Sequence, residues 1–140
     1  MTRSVKPILV LGTGFWCFAI LAAPVFRWPL LYQFFSFVCH QIPGRSWHLD
    51  GEPLGLCIRC TSISLGFLVG VLVLTRPKAR WFRWALAMTV CQWLLALAIV
   101  DSEVLRVITA IALGCTAAPI VRVGVEEMFT ERIRTADEPM

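Results

Sequence analysis

Pro7 to Phe26, PILVLGTGFWCFAILAAPVF, is twenty consecutive residues without a charge. At about 1.5 Å rise per residue a helix of that length crosses the roughly 30 Å hydrocarbon core of a bilayer. In lipid the backbone must satisfy its own polar groups, so the run predicts a transmembrane helix over residues 7–26. Arg3 and Lys6 ahead of it also suit a secretory signal. The run outlasts an ordinary signal core, and Pro24 follows the small pair Ala22 and Ala23, so retention of the span is the expectation.

Three further runs repeat the pattern: 56–75, broken only by Arg59; 84–100; and 104–121, with Arg106 near its start. Charged residues make up 16% of the chain, against about 25% in an ordinary globular domain. A soluble fold is therefore excluded in favour of an all-α, four-helix integral membrane bundle, one membrane domain over residues 1–140. Trp28 to Val38 is aromatic and too short to span, which suits an interfacial segment lipped onto the headgroups. That segment and a Cys/His loop fill 28–55, and a tail of mixed charge over 122–140 is expected to form a short surface helix.

Nine of the thirteen Lys and Arg flank the runs on one side: Arg3, Lys6, Arg76, Lys78, Arg80, Arg83, Arg122, Arg132 and Arg134. By the positive-inside rule both termini and the RPKARWFR loop are cytoplasmic, and the loop over 28–55 is extracytoplasmic. The basic residues punctuate apolar runs without forming a stripe interleaved with aromatics, so no nucleic-acid partner is expected. Trp81 and Trp84 read as a cytoplasmic interfacial belt. Ser62, Gly66 and Gly70 share one helix face, as do Ala110, Gly114 and Ala118, and either face suits close helix packing or docking on other membrane subunits.

The chemistry concentrates in CHQIPGRSWHLDGEPLGLCIRC, where Cys39, His40, Cys57 and Cys60 fall within 22 residues. Three thiols and an imidazole form a ligand set for Zn²⁺, with the C-x-x-C chelating from one helical turn. Because Cys39 and His40 are adjacent, His48 or water in place of His40 is a variant. The same residues support a thiol–disulfide couple: Pro53 places Cys57 near the positive end of a helix, with Arg59 beside it, and Cys39 is then a resolving thiol. A structural disulfide from Cys39 to Cys57 or Cys60 is the third alternative. Arg59, Asp101 and Arg106 should share one depth, Arg59 pairing with Asp101, and with Arg45 they are candidate cofactor-binding residues. Cys17, Cys91 and Cys115 read as small packing residues.

CHQIPGRS, followed by CIRC and SLGFLVG, resembles a family of small bacterial membrane proteins defined only as a domain of unknown function. Its pattern falls here on Cys39, His40, Gln41, Pro43, Arg45, Ser46, Gly51, Cys57, Arg59 and Cys60, then Asp101 and Arg106. Ser62 stands where that pattern has Gly. The resemblance implies a membrane location and a shared site, without a reaction. A looser likeness is to the DsbB family, which has four helices, cytoplasmic termini and an outward C-x-x-C at the head of the second helix that passes electrons to quinone. That family also carries a cysteine pair between its third and fourth helices, where DSEVLR has none.

The expectation is therefore a multi-pass protein of the bacterial inner membrane, in contact with lipid and with other membrane-protein subunits. It holds zinc at Cys39, His40, Cys57 and Cys60 as a binding or accessory subunit. The alternative is an enzyme, a quinone-linked thiol oxidoreductase using Cys57, Cys60 and Cys39.

Overall fold

α1 (Lys6–Phe26) has Pro7 in its first turn, where a missing N–H costs nothing, and ends at Arg27, which adopts the left-handed conformation (φ 47°). Trp28 is extended ahead of Pro29, and Pro29 opens α2 (Pro29–Ser36). The computed structural model describes residues 5–73, 76, 79–98 and 102–136. After α2 come a 3-10 turn (Pro43–Arg45), β1 (His48–Leu49), β2 (Glu52–Pro53), α3 (Ile58–Val73), α4 (Ala79–Ala98) and α5 (Glu103–Ala136).

The aromatic segment after α1 is a helix that folds back on it. Phe35 is fully buried, and its ring meets Trp16 edge-on at 5.3 Å between centroids, with Phe34 completing the trio. Gly55 lies against this ring: a Cβ there would fall 2.7 Å from Phe35 Cδ2, so only glycine lets the loop pass. The loop itself is ordered by a two-residue hairpin absent from the all-helical expectation. Asp50 (φ 52°) and Gly51 (φ 83°) form its turn, and His48 pairs with Pro53. Gln41, also left-handed, donates through Nε2 to the carbonyls of Tyr32 (2.7 Å) and Gly55 (2.9 Å), and Tyr32 donates to Pro53 O at 2.6 Å.

The two small-residue faces pack on each other. A Cβ on Gly66 would strike the carbonyl of Ile111, one on Gly70 would sit 2.8 Å from Ala118 Cβ, and one on Gly114 would strike the carbonyl of Ile63 and lie 2.7 Å from Phe67 N. Gly66 meets Ile111 and Gly70 meets Cys115 four residues on, so α3 and α5 run parallel with their backbones touching. Both faces are consumed inside the chain, and neither is left as the docking surface that sequence alone allowed.

α1 runs antiparallel to α3, since Lys6 Nζ donates to Leu72 O at 3.2 Å. α4 is antiparallel to α5: Thr89 donates to Thr109 O (3.4 Å), while Trp93, Leu97 and Arg106 line one cavity. α4 starts at Ala79, five residues ahead of the apolar run, because Arg80 to Arg83 carries no helix breaker. The tail is not a separate helix: α5 continues through Pro119 and the 121/122 boundary to Ala136, with the Arg122–Glu126 ion pair (3.0 Å) bracing it one turn apart. By length and composition α1 and the Glu103–Thr130 part of α5 are long and apolar enough to cross a membrane, and α3 is apolar but shorter.

Candidate thiol site at the head of the third helix

Cys57 precedes the first helical residue of α3, and its carbonyl accepts the Thr61 N–H at 3.0 Å, closing the first turn. Cys60 lies three residues on, on the same side of that turn. Cys39 arrives from the end of α2, where its own N–H is bonded to Phe35 O at 2.9 Å. The stitched loop then carries Cys39 over the helix head, where its Sγ accepts the Cys57 N–H at 3.4 Å. The three Sγ atoms lie within 4.8 Å of one another. All three thiols are free.

Tetrahedral Zn–S bonds of about 2.3 Å place sulfurs about 3.8 Å apart, so this group needs only slight contraction to hold one such ion. It is also primed to carry charge. Cys57, outside the helix proper, has its pKa pushed below the ordinary thiol value, chiefly by the hydrogen bond from the Cys60 thiol, with burial opposing and Cys39 adding a further hydrogen bond.

A cavity of about 270 Å³ opens beside the sulfurs. His40, exposed, lines it without joining the three thiols. Arg45, Arg59 and Arg106 line it too, Arg45 exposed and Arg106 buried. Asp101, the expected partner of Arg59, lies outside the described residues. Arg59 donates through Nη2 to Gln92 Oε1 at 2.7 Å. Gln92 is 3% exposed and was not singled out from sequence. Its signal was there: it is the one amide in the uncharged run 84–100. His48 is exposed on β1, and of the remaining cysteines Cys17 is buried, Cys115 partly so, and Cys91 exposed on α4.

The family described as Predicted membrane protein (DUF2085) matches residues 39–120. The chain belongs to this family. The DUF2085 match opens on Cys39 and takes in all three sulfurs, Arg59, Gln92, Arg106 and the α3–α5 contact, leaving α1 and α2 outside. An uncharacterized protein of Methanocaldococcus jannaschii is 42% identical over 43 residues, which cover 31% of this chain. The alignment spans 28% of that relative's length. No solved structure matches the chain.

Proposed function

We propose that this DUF2085 protein is a four-span, metal-binding membrane protein, with zinc held by Cys39, Cys57 and Cys60 at the extracytoplasmic end of the bundle. The observation that carries the reading is the convergence of three sulfurs, from two segments distant in sequence, on one point at the edge of a cavity. Zinc matches the donor set, and the centre would fasten the loop to the helix head while turning a fourth coordination position toward the cavity, where His40 or an outside ligand could reach it. The antiparallel sequence α1, α3, α4, α5 supports four crossings. α4 spans about 30 Å, and α3 at about 24 Å would be matched by local thinning or by snorkelling of its flanks. Lys6, Arg76, Arg80 and Arg83 fall at the end opposite the thiols, which supports the cytoplasmic placement of that end. Single-domain organisation over 1–140 and an accessory role belong to the same reading, with lipid and other membrane subunits covering the exposed apolar sides of α1 and α4.

A thiol oxidoreductase is the second reading, favoured by the lowered pKa of Cys57 beside Cys60, with Cys39 in reach as resolving thiol. Elemental analysis of protein purified without added metal, paired with alkylation before and after chelation, separates the two. The first reading expects near one zinc per chain and thiols shielded until the chelator is added. Metal-free protein with Cys57 and Cys60 trapped in both redox states would overturn it and support the second.

A further inference from the structure

The cavity beside the thiols has a chemistry of its own, independent of whether the sulfurs hold metal or cycle. At about 270 Å³ it holds about nine waters' worth of volume, at roughly 30 Å³ each, and sits just below the usual range for drug-sized ligands. Its walls are of two kinds. Val38, Ile42, Trp93 and Leu97 are apolar, while Arg45 and Arg59 bring positive charge. Among the described residues no carboxylate lines it. A zinc tris-thiolate carries one net negative charge, so these two guanidiniums still outweigh it.

Arg59 is also held in place. Gln92 fixes its Nη2, and its buried Nε has no acceptor among the described residues, so the donors of the guanidinium are not used up within the described chain. A planar, oriented fork beside apolar walls recognises an oxyanion far better than a neutral group.

We infer that the cavity is a binding site for an organic oxyanion, a phosphate or carboxylate head on a short apolar body, with the head on Arg59 and Arg45 and the body against Trp93 and Leu97. Such a head could belong to a soluble molecule or to an acidic lipid at the rim of the bilayer.

Full-length protein in a neutral maltoside detergent is titrated calorimetrically with phenyl phosphate and with inorganic phosphate, both zinc-loaded and chelator-treated. Phenyl phosphate is expected to bind at one site per chain, at least tenfold more tightly than inorganic phosphate. Arg59→Gln should weaken it at least tenfold, Arg59→Lys less. Ala96→Leu, which fills the cavity from α4 and leaves every charge in place, should abolish binding, and Arg122→Gln at the far end should leave it unchanged. Binding that survives chelation stands apart from the metal reading, whatever the zinc analysis returns. In nanodiscs, loss of phenyl phosphate binding when phosphatidylglycerol is added to phosphatidylcholine identifies a lipid source, and retention a soluble one. Absence of saturable binding, or equal affinities for wild type, Arg59→Gln and Ala96→Leu, overturns the inference.

Discussion

Gly114→Ala adds one methyl group and should destabilise the protein, although the same change at Gly12 or Gly124 should not. At Gly114 the new Cβ collides with the Ile63 carbonyl and approaches Phe67 N to 2.7 Å, both backbone atoms that cannot rotate away. α3 and α5 must separate, and forced overpacking costs about 1–3 kcal/mol. The obstacle is main chain, which argues for the upper end, about 3 kcal/mol. Replacing a helical glycine by alanine returns at most about 1 kcal/mol, less in a bilayer where the separated helices stay helical. The net loss is therefore about 2 kcal/mol. At Gly12 and Gly124 nothing lies within 4 Å of the added methyl, so only the gain remains. For a chain of this size about 4 °C per kcal/mol puts Gly114→Ala about 8 °C below wild type and the two controls level with it or slightly above. Thermal unfolding in detergent micelles, followed by tryptophan emission, measures all three. A Gly114→Ala variant that melts with or above Gly124→Ala would refute the backbone contact between α3 and α5.

Ser62 is fully buried on the same α3 face and its hydroxyl has no partner among the described residues, so Ser62→Ala should stabilise by about 1 kcal/mol in the same melting assay. Gln41→Ala removes two hydrogen bonds to backbone carbonyls and leaves alanine at φ 46°. It should cost about 2 kcal/mol and raise hydrogen exchange first in the loop from Tyr32 to Gly55. Tyr32, the single tyrosine, titrates above its ordinary value because burial, and next the Glu52 charge, disfavour the phenolate. Since the folded pKa is the higher one, its contribution to stability is complete below pH about 10 and disappears as pH rises through the folded value. The phenolate absorbance of the folded protein should have its midpoint above 10, falling toward 10 in Glu52→Gln.

Charge-free length made most of the fold legible. The first run, 7–26, matches α1 to within a residue at its start because Pro7 and the Arg27 end are both written in the chain. Boundaries failed where polarity changed without a backbone signal. Arg80 to Arg83 and Arg122 to Arg134 read as loop and tail by charge, yet neither stretch holds a proline, and helix propagates through it. The hairpin was missed because Asp50-Gly51 joins strands of only two residues, too short to alternate, and the turn pair was the sole signal. The small-residue periodicity was legible as two faces. That they face each other was not, since partner choice depends on the direction and order of the helices.

The site divides along the same line. C-x-x-C gave Cys57 and Cys60 directly, because three residues of helix fix their spacing. Cys39 joins them only through the Gln41 bridge, the Tyr32 bond to Pro53 and the glycine that slips past Phe35, a set of contacts spread over twenty-odd positions with no periodicity to announce them. His40, next to Cys39 in sequence, lines the same cavity but is exposed where Cys39 is buried, so the two share the site without sharing an environment. Held by an amide on α4 that sequence left unremarked, the Arg59 guanidinium links the thiol end of the chain to a space that Arg45 reaches from the loop. The loop, α3 and α4 therefore each place one group of the site, and a change at Gln92 should be felt at Arg59 before it is felt at the sulfurs.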